Sequence, residues 1–238
     1  MEILIIGDVF SKLGRKACEM TPKLGRTYQK DANGDLLRYN DNQVKAIFNA
    51  LELSPVSVIQ GPPGTGKTTV ITEIVFQILA REPQAKILIT SQTNNAVDQV
   101  LENLIKNNIQ VARLAGITRP KSKIVAKHTM ARKLEGWKQE IRKNAIANFT
   151  NLDCPSEEES TLHKNWLDAV ASLKENGNVK ERLLRSIRVI GGTCNHVASS
   201  KYLAYNFNFD YVIMDESGKA TLAESLVPIV MGKKLIMV

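Results

Sequence analysis

The sequence predicts an α/β fold, a mostly parallel sheet flanked by helices, and three observations carry that prediction. Gly61-Pro62-Pro63-Gly64-Thr65-Gly66-Lys67-Thr68 is a full match to G-x-x-x-x-G-K-[ST]. An apolar run of strand length, residues 56–60, stands directly before it, and residues 69–79 directly after it read at helical period. Apolar runs then recur at residues 86–90, 187–190 and 209–214, each delivering small polar or acidic residues at its carboxyl end, where open α/β sheets collect ligands.

The loop's composition follows from its chemistry. Glycines let backbone N–H groups turn toward one point without Cβ clashes, and the start of the following helix adds unpaired donors and a positive dipole end. Phosphate oxygens settle in such a nest. Lys67 supplies a mobile charge for the β and γ phosphates of a nucleotide, and the Thr68 hydroxyl is placed to complete the shell of a Mg²⁺ ion.

Composition narrows the setting. The 238 residues, 43% of them apolar, hold one large domain or one domain with a sizeable insertion. The balance of 32 Lys+Arg against 24 Asp+Glu gives +8, an excess that suits a polyanionic partner. Cys18, Cys154 and Cys194 lie far apart without C-x-x-C spacing, which supports neither a disulfide framework nor a zinc site and fits a reducing, cytoplasmic setting. No signal peptide and no stretch of membrane-spanning length is legible.

Taken in order, residues 1–38 are read as an N-terminal extension, the tail of an upstream β module, with a short strand near residues 2–6 and a hairpin turn at Asn33-Gly34. In residues 39–51, Asn40 or Asp41 is an N-cap and Val44, Ile47, Phe48 and Leu51 share one helix face. Gln43 in the first turn carries the donor and acceptor pair that adenine requires, although spacing alone favours a solvent-facing side chain. The strand at 86–90 ends in Ser91-Gln92-Thr93-Asn94-Asn95, whose hydroxyl and amide groups suit either nucleic-acid phosphates or a plain helix cap. Residues 109–114 read as a further strand.

Residues 115–186 break the rhythm and read as a mostly helical insertion between core segments 39–114 and 187–238. Between Arg119 and Lys143, nine Lys/Arg (Arg119, Lys121, Lys123, Lys127, Arg132, Lys133, Lys138, Arg142, Lys143) face only Glu135 and Glu140, and a solvated basic face competes with a nucleic-acid surface. Trp137 and Trp166 are expected to be packing residues, and His128, His163 and His196 show no ligand spacing. The sheet returns at 187–190, ending in Gly191-Gly192-Thr193-Cys194. The run 209–214 leads into Asp215-Glu216, one carboxylate to hold Mg²⁺ through water and one to polarise an attacking water. A helix at 221–230 and a strand at 234–238 complete the chain as read.

With these pieces in order the sequence resembles the first motor domain of a superfamily-1 helicase of the Upf-like branch, over roughly residues 39–238. The matching words are Asn40-x-x-Gln43, Gly61 to Thr68, Thr93-Asn94-Asn95-Ala96-Val97-Asp98, Gly192-Thr193-Cys194 and the run from Phe209 to Glu216. The resemblance implies a RecA-like P-loop ATPase core. It implies ATP bound by Gln43, Gly61, Pro62, Pro63, Gly64, Thr65, Gly66, Lys67, Thr68 and Thr69, with Lys67, Asp215 and Glu216 catalytic and Mg²⁺ held by Thr68 and Asp215. It further implies single-stranded DNA or RNA contacting Thr93, Asn94 and Thr193, and no membrane. Where the family has Ala-x-Gln after its two acids, this chain has Ser217-Gly218-Lys219. The Gly-Asp-x-x-Gln word and the second RecA-like domain that supplies arginines are not within these residues, so the isolated chain is expected to hydrolyse ATP slowly. A P-loop switch with a protein-docking insertion, or an inactive nucleic-acid-binding remnant, are the alternatives.

Overall fold

The computed structural model describes residues 4–5, 27–31, 33–52, 55–114, 120–150, 155–172, 177–199 and 208–238; Cys18, Arg119 and Cys154 lie outside them. Among the described residues the strands are β1 (Leu4–Ile5), β2 (Val56–Gln60), β3 (Ile87–Ser91), β4 (Val111–Arg113), β5 (Val189–Thr193), β6 (Phe209–Asp215) and β7 (Gly232–Met237). They form one sheet in the order β1-β2-β7-β6-β3-β5-β4. Every pairing is parallel except that of β1 with β2.

A parallel sheet needs cover on both faces, and the alternation along each strand shows how it is obtained. Ile87 and Ile89, Val189, Ile213 and Ile236 point to one face, where they meet Ile47 of α1 (Asp41–Glu52), Val70, Ile71, Ile74 and Ile78 of α2 (Lys67–Arg81), and Val97, Leu101 and Leu104 of α3 (Asn94–Lys106). Leu88, Ile190, Val212 and Leu235 point to the other face. There they meet Leu114, Leu184, Val197 and Met231.

Among the described residues four helices lie between β4 and β5: α4 (Lys123–Ala126), α5 (Met130–Thr150), α6 (Glu157–Ser172) and α7 (Gly177–Ser186). Trp137 and Trp166, expected to be packing residues, are not packed away: they keep 42% and 45% of their surface exposed. His163 stacks on Phe149 at 4.0 Å. α8 (Cys194–Val197) follows β5, and α9 (Leu222–Val230) follows β6 behind a capping box of Thr221 and Glu224. The turn at Asn33-Gly34 closes as expected, with Gly34 at φ +89° and Lys30 bridging Leu36.

Candidate functional site

β2 runs into the glycine loop without a break, and the loop hands over to α2 at Gly66, whose φ is +82°. That left-handed region costs a residue with a Cβ about 1–2 kcal/mol. An added Cβ at Gly66 would also lie 2.8 Å from Gln43 Nε2, the mobile end of a side chain that would have to shift, so the positive φ is what favours glycine there.

Thr65 Oγ1 donates to the Pro62 carbonyl at 2.8 Å and steadies the turn. Lys67 Nζ donates to the Gly61 carbonyl at 2.6 Å and, more weakly, to that of Pro62 at 3.4 Å. Phosphate oxygens offer this ammonium an opposite charge that the neutral carbonyls do not.

Beside the loop opens a cleft of about 1070 Å³ whose walls include Gly64, Lys67, Thr68, Asp215, Glu216 and Lys219. The sheet order explains the width. β7 lies between β2 and β6, so the loop strand and the strand ending in Asp215 stand two spacings of ~4.8 Å apart, about 10 Å. That leaves room for a phosphate and a hydrated cation between them.

Asp215 is buried, and its Oδ1 accepts from the Glu216 N–H at 2.9 Å. Burial pushes its carboxyl above the usual range, while the Lys67 charge pulls the other way. Together with the Thr68 hydroxyl in the same cleft it forms a hard-oxygen donor set of the kind Mg²⁺ takes, one or two protein oxygens with the remainder left to phosphate and water. Among the described residues no group of three or more His, Cys, Asp or Glu could form an all-protein cage. Glu216 adopts φ +54°, ψ +37°, and its Oε1 pairs with Lys219 Nζ at 2.7 Å.

Gln43 sits at the mouth of a smaller hollow of about 400 Å³ beside the loop, with Asn40, Asn42, Pro63 and Thr65. It is half-buried, and its side chain is engaged. Its Oε1 accepts from the Asn40 N–H at 3.1 Å, Asn40 Oδ1 accepts from the Gln43 N–H at 2.9 Å, and Gln43 Nε2 donates to the Thr65 carbonyl at 3.2 Å. Reading an adenine edge would exchange these bonds.

The row of strand ends carries the remaining expected residues. Ser91 is in register with Thr193 on one side and Asp215 on the other. Thr93 caps α3, accepting from the Ala96 N–H at 3.3 Å, and also lines the large cleft. Thr193 caps α8 through the His196 N–H at 3.4 Å. Asn94 differs in character: its Oδ1 accepts from Arg113 at 2.7 Å and is a strut beneath the helix start. Sequence reasoning missed Arg113, which is 1% exposed and bonds Asp98 Oδ1 at 2.7 Å. Its signal was a lone guanidinium in an apolar strand. Asn95 and Gln99, close to Thr93 in sequence, also line the large cleft.

A glycine loop between strand and helix, a lysine at its mouth, and two acids across one intervening strand belong to a P-loop domain with a RecA-like core. The family model described as "AAA domain" matches residues 38–169 and 152–238. The chain belongs to that family, as an Upf-like superfamily-1 helicase motor domain. It is 32% identical over 202 residues to a regulator of nonsense transcripts 1 homolog of Arabidopsis thaliana, a match spanning 83% of this chain and 15% of that protein. It is 28% identical over 199 residues to the DNA replication ATP-dependent helicase/nuclease DNA2 of Saccharomyces cerevisiae, across 84% of this chain and 10% of that protein. A solved structure of a nuclease-deletion mutant of the Type ISP restriction-modification enzyme LlaGI with a DNA substrate mimic aligns with TM-score 0.49 and 16% identity, over 84% of this chain and 17% of that one. The chain thus spans a small part of the length of these relatives. Among the described residues no helix is long and apolar enough to cross a membrane.

Proposed function

We propose that this chain binds ATP with Mg²⁺ and hydrolyses it as the first motor domain of a helicase acting on single-stranded nucleic acid. The observation that carries the reading is the single cleft in which Lys67, Thr68, Asp215 and Glu216 meet across β7. In this reading residues 39–114 and 187–238 are the ATPase core and residues 115–186 a basic helical insertion.

The N–H groups of the loop and first helical turn, from Gly64 to Thr69, cradle the phosphates, with Gly61, Pro62 and Pro63 shaping the turn, and Lys67 leaves its carbonyls to neutralise the β and γ groups. Thr68 and Asp215 are the residues that would hold Mg²⁺, which supplies charge neutralisation on the transferring phosphoryl group. Glu216 orients the attacking water and accepts its proton as the γ-phosphorus to ADP oxygen bond breaks. Thr93, Asn94 and Thr193 stand at the carboxyl edge, where nucleic-acid phosphates would lie against the start of α3.

ATPase measurements with and without single-stranded DNA or RNA test the reading. Glu216→Gln is expected to keep nucleotide binding and lose about 10²- to 10⁴-fold in turnover. Lys67→Ala is expected to lose binding itself. Turnover by the 238 residues alone is expected to be slow and without strand separation, because an arginine supplied across a motor interface is worth about 10³- to 10⁵-fold. Hydrolysis indifferent to both substitutions would overturn the assignment.

A further inference from the structure

The helix after the glycine loop carries a buried carboxylate for which phosphate chemistry has no use. Glu73, in the second turn of α2, is 0% exposed. A charge in that position survives only if it is fully hydrogen-bonded, and its donors are unexpected in origin. The Tyr28 N–H approaches Oε1 at 3.2 Å, the Gln29 N–H donates to Oε2 at 3.2 Å, and the Tyr39 hydroxyl donates to Oε2 at 3.1 Å. Only Gln77 Nε2, at 2.8 Å, comes from the helix itself. Of the other three, the Tyr28 and Gln29 N–H groups come from the segment before the ATPase core as the sequence delimits it, and Tyr39 is the first residue of that core.

That segment reaches the phosphate loop at two further points. Gln29 Nε2 donates to the Thr69 carbonyl at 2.9 Å and to the Tyr39 hydroxyl at 2.9 Å, and the Tyr28 ring stacks on Phe76 of α2. Downstream the same stretch ends in Asn40, whose reciprocal cap with Gln43 leads to the Thr65 carbonyl. Both ends of the Thr65-Gly66-Lys67-Thr68-Thr69 turn are therefore tied to residues 28–43. On the opposite flank, Leu4 and Ile5 pair with Gln60 and Ile59 immediately before Gly61.

We propose that residues 28–40 are a positioning strap for the phosphate loop, with Gln29 and Glu73 as the positioning residues through which nucleotide binding and strap seating are coupled. The proposal rests on the nucleotide-binding reading above. Coupling of this kind is reciprocal: a seated strap tightens nucleotide binding, and bound nucleotide tightens the strap.

The test uses the whole 238-residue chain. Affinities for fluorescent ATP and ADP analogues with Mg²⁺ are measured for the natural sequence, Gln29→Ala and Lys67→Ala, alongside amide hydrogen exchange at residues 28–29 with and without MgADP. The expected result is an affinity loss of about five- to tenfold for both nucleotides in Gln29→Ala, the scale of one buried hydrogen bond. MgADP is expected to slow exchange of the Tyr28 and Gln29 amides in the natural sequence and not in Lys67→Ala, a readout that a merely structural contact would not move. Binding that needs Lys67 but stays within twofold in Gln29→Ala, with exchange at 28–29 unaltered by nucleotide, overturns the strap alone. Absence of Lys67-dependent binding overturns the site and the strap together. If Gln29→Ala does not fold, the exchange result on the natural sequence decides by itself.

Discussion

Replacing Arg113 by Met keeps most of the buried stem and removes the guanidinium, and the structure sets the scale of the damage. The side chain is 1% exposed and donates to Asp98 Oδ1 at 2.7 Å, Asn94 Oδ1 at 2.7 Å and the Leu114 carbonyl at 2.5 Å. Asp98, 3% exposed, would keep only the Lys121 N–H on its other oxygen at 2.9 Å. Breaking a buried pair from one side costs about 3–5 kcal/mol, because the surviving charge is left without its partner. The double substitution Arg113→Met with Asp98→Leu removes both charges and is expected to recover most of that loss. Urea unfolding followed by circular dichroism measures both, with an unchanged slope certifying that the denatured state is the same. A single-substitution cost below about 1 kcal/mol, or a double variant no more stable than the single, would refute the reasoning. The helix start carrying Thr93 and Asn95 should loosen in the single variant, since Asn94 loses its anchor.

Two further outcomes follow from the packing around the sheet. Burial, with Arg188 and Arg185 nearby, lowers Lys86 from 10.5 to about 8, while its ammonium caps the carbonyls of Arg185 and Ile187. The native state therefore holds this proton less tightly than the unfolded chain, so the penalty is complete below pH 8 and is relieved as pH rises toward 10.5; melting temperature across that window should climb more steeply for the natural sequence than for Lys86→Met, and parallel profiles would exclude it. Gly232→Ala would set a Cβ 2.4 Å from Val212 Cγ2; a loss of about 1–3 kcal/mol is expected, partly restored by adding Val212→Ala, and a neutral result in thermal unfolding would show that β6 and β7 yield more readily than their contacts imply.

Much of the fold was legible because its signals are local. The apolar run that becomes β3, the loop word and the acids after β6 each announce a strand end, and the structure sets them on one edge with Ser91, Thr193 and Asp215 in register. Lateral order was not legible. Nothing in the sequence of β7 says that it lies between β2 and β6, since that placement depends on how the intervening helices pack across the sheet. Gln43 shows a different limit: its donor and acceptor were readable, but their present partners are two backbone groups, which carry no side-chain signature. The strap escaped for the same reason. Its bonds to Glu73 run largely through the N–H groups of Tyr28 and Gln29, and only the oddity of a glutamate among Val70, Ile71, Ile74 and Val75 pointed to a partner.

Glu216 joins the fold's local physics to its proposed chemistry. A non-glycine residue at φ +54° is strained by about 1–2 kcal/mol, and such strain persists only where the surroundings over-determine it. Here the Glu216 N–H donates to Asp215 Oδ1, the Lys219 N–H returns to the Glu216 carbonyl at 2.9 Å, and the Ser217 N–H and hydroxyl both donate to the Val238 carbonyl, at 2.9 and 3.1 Å. The backbone of Glu216 is thereby fixed from both sides between β6 and β7. Its carboxylate is held far less firmly, because Lys219 is 65% exposed and a surface pair of that kind contributes little. A rigid main chain carrying an exchangeable carboxylate is the combination that proton transfer requires. Glu216 lines the cleft, and Lys219 can be traded for water at small cost.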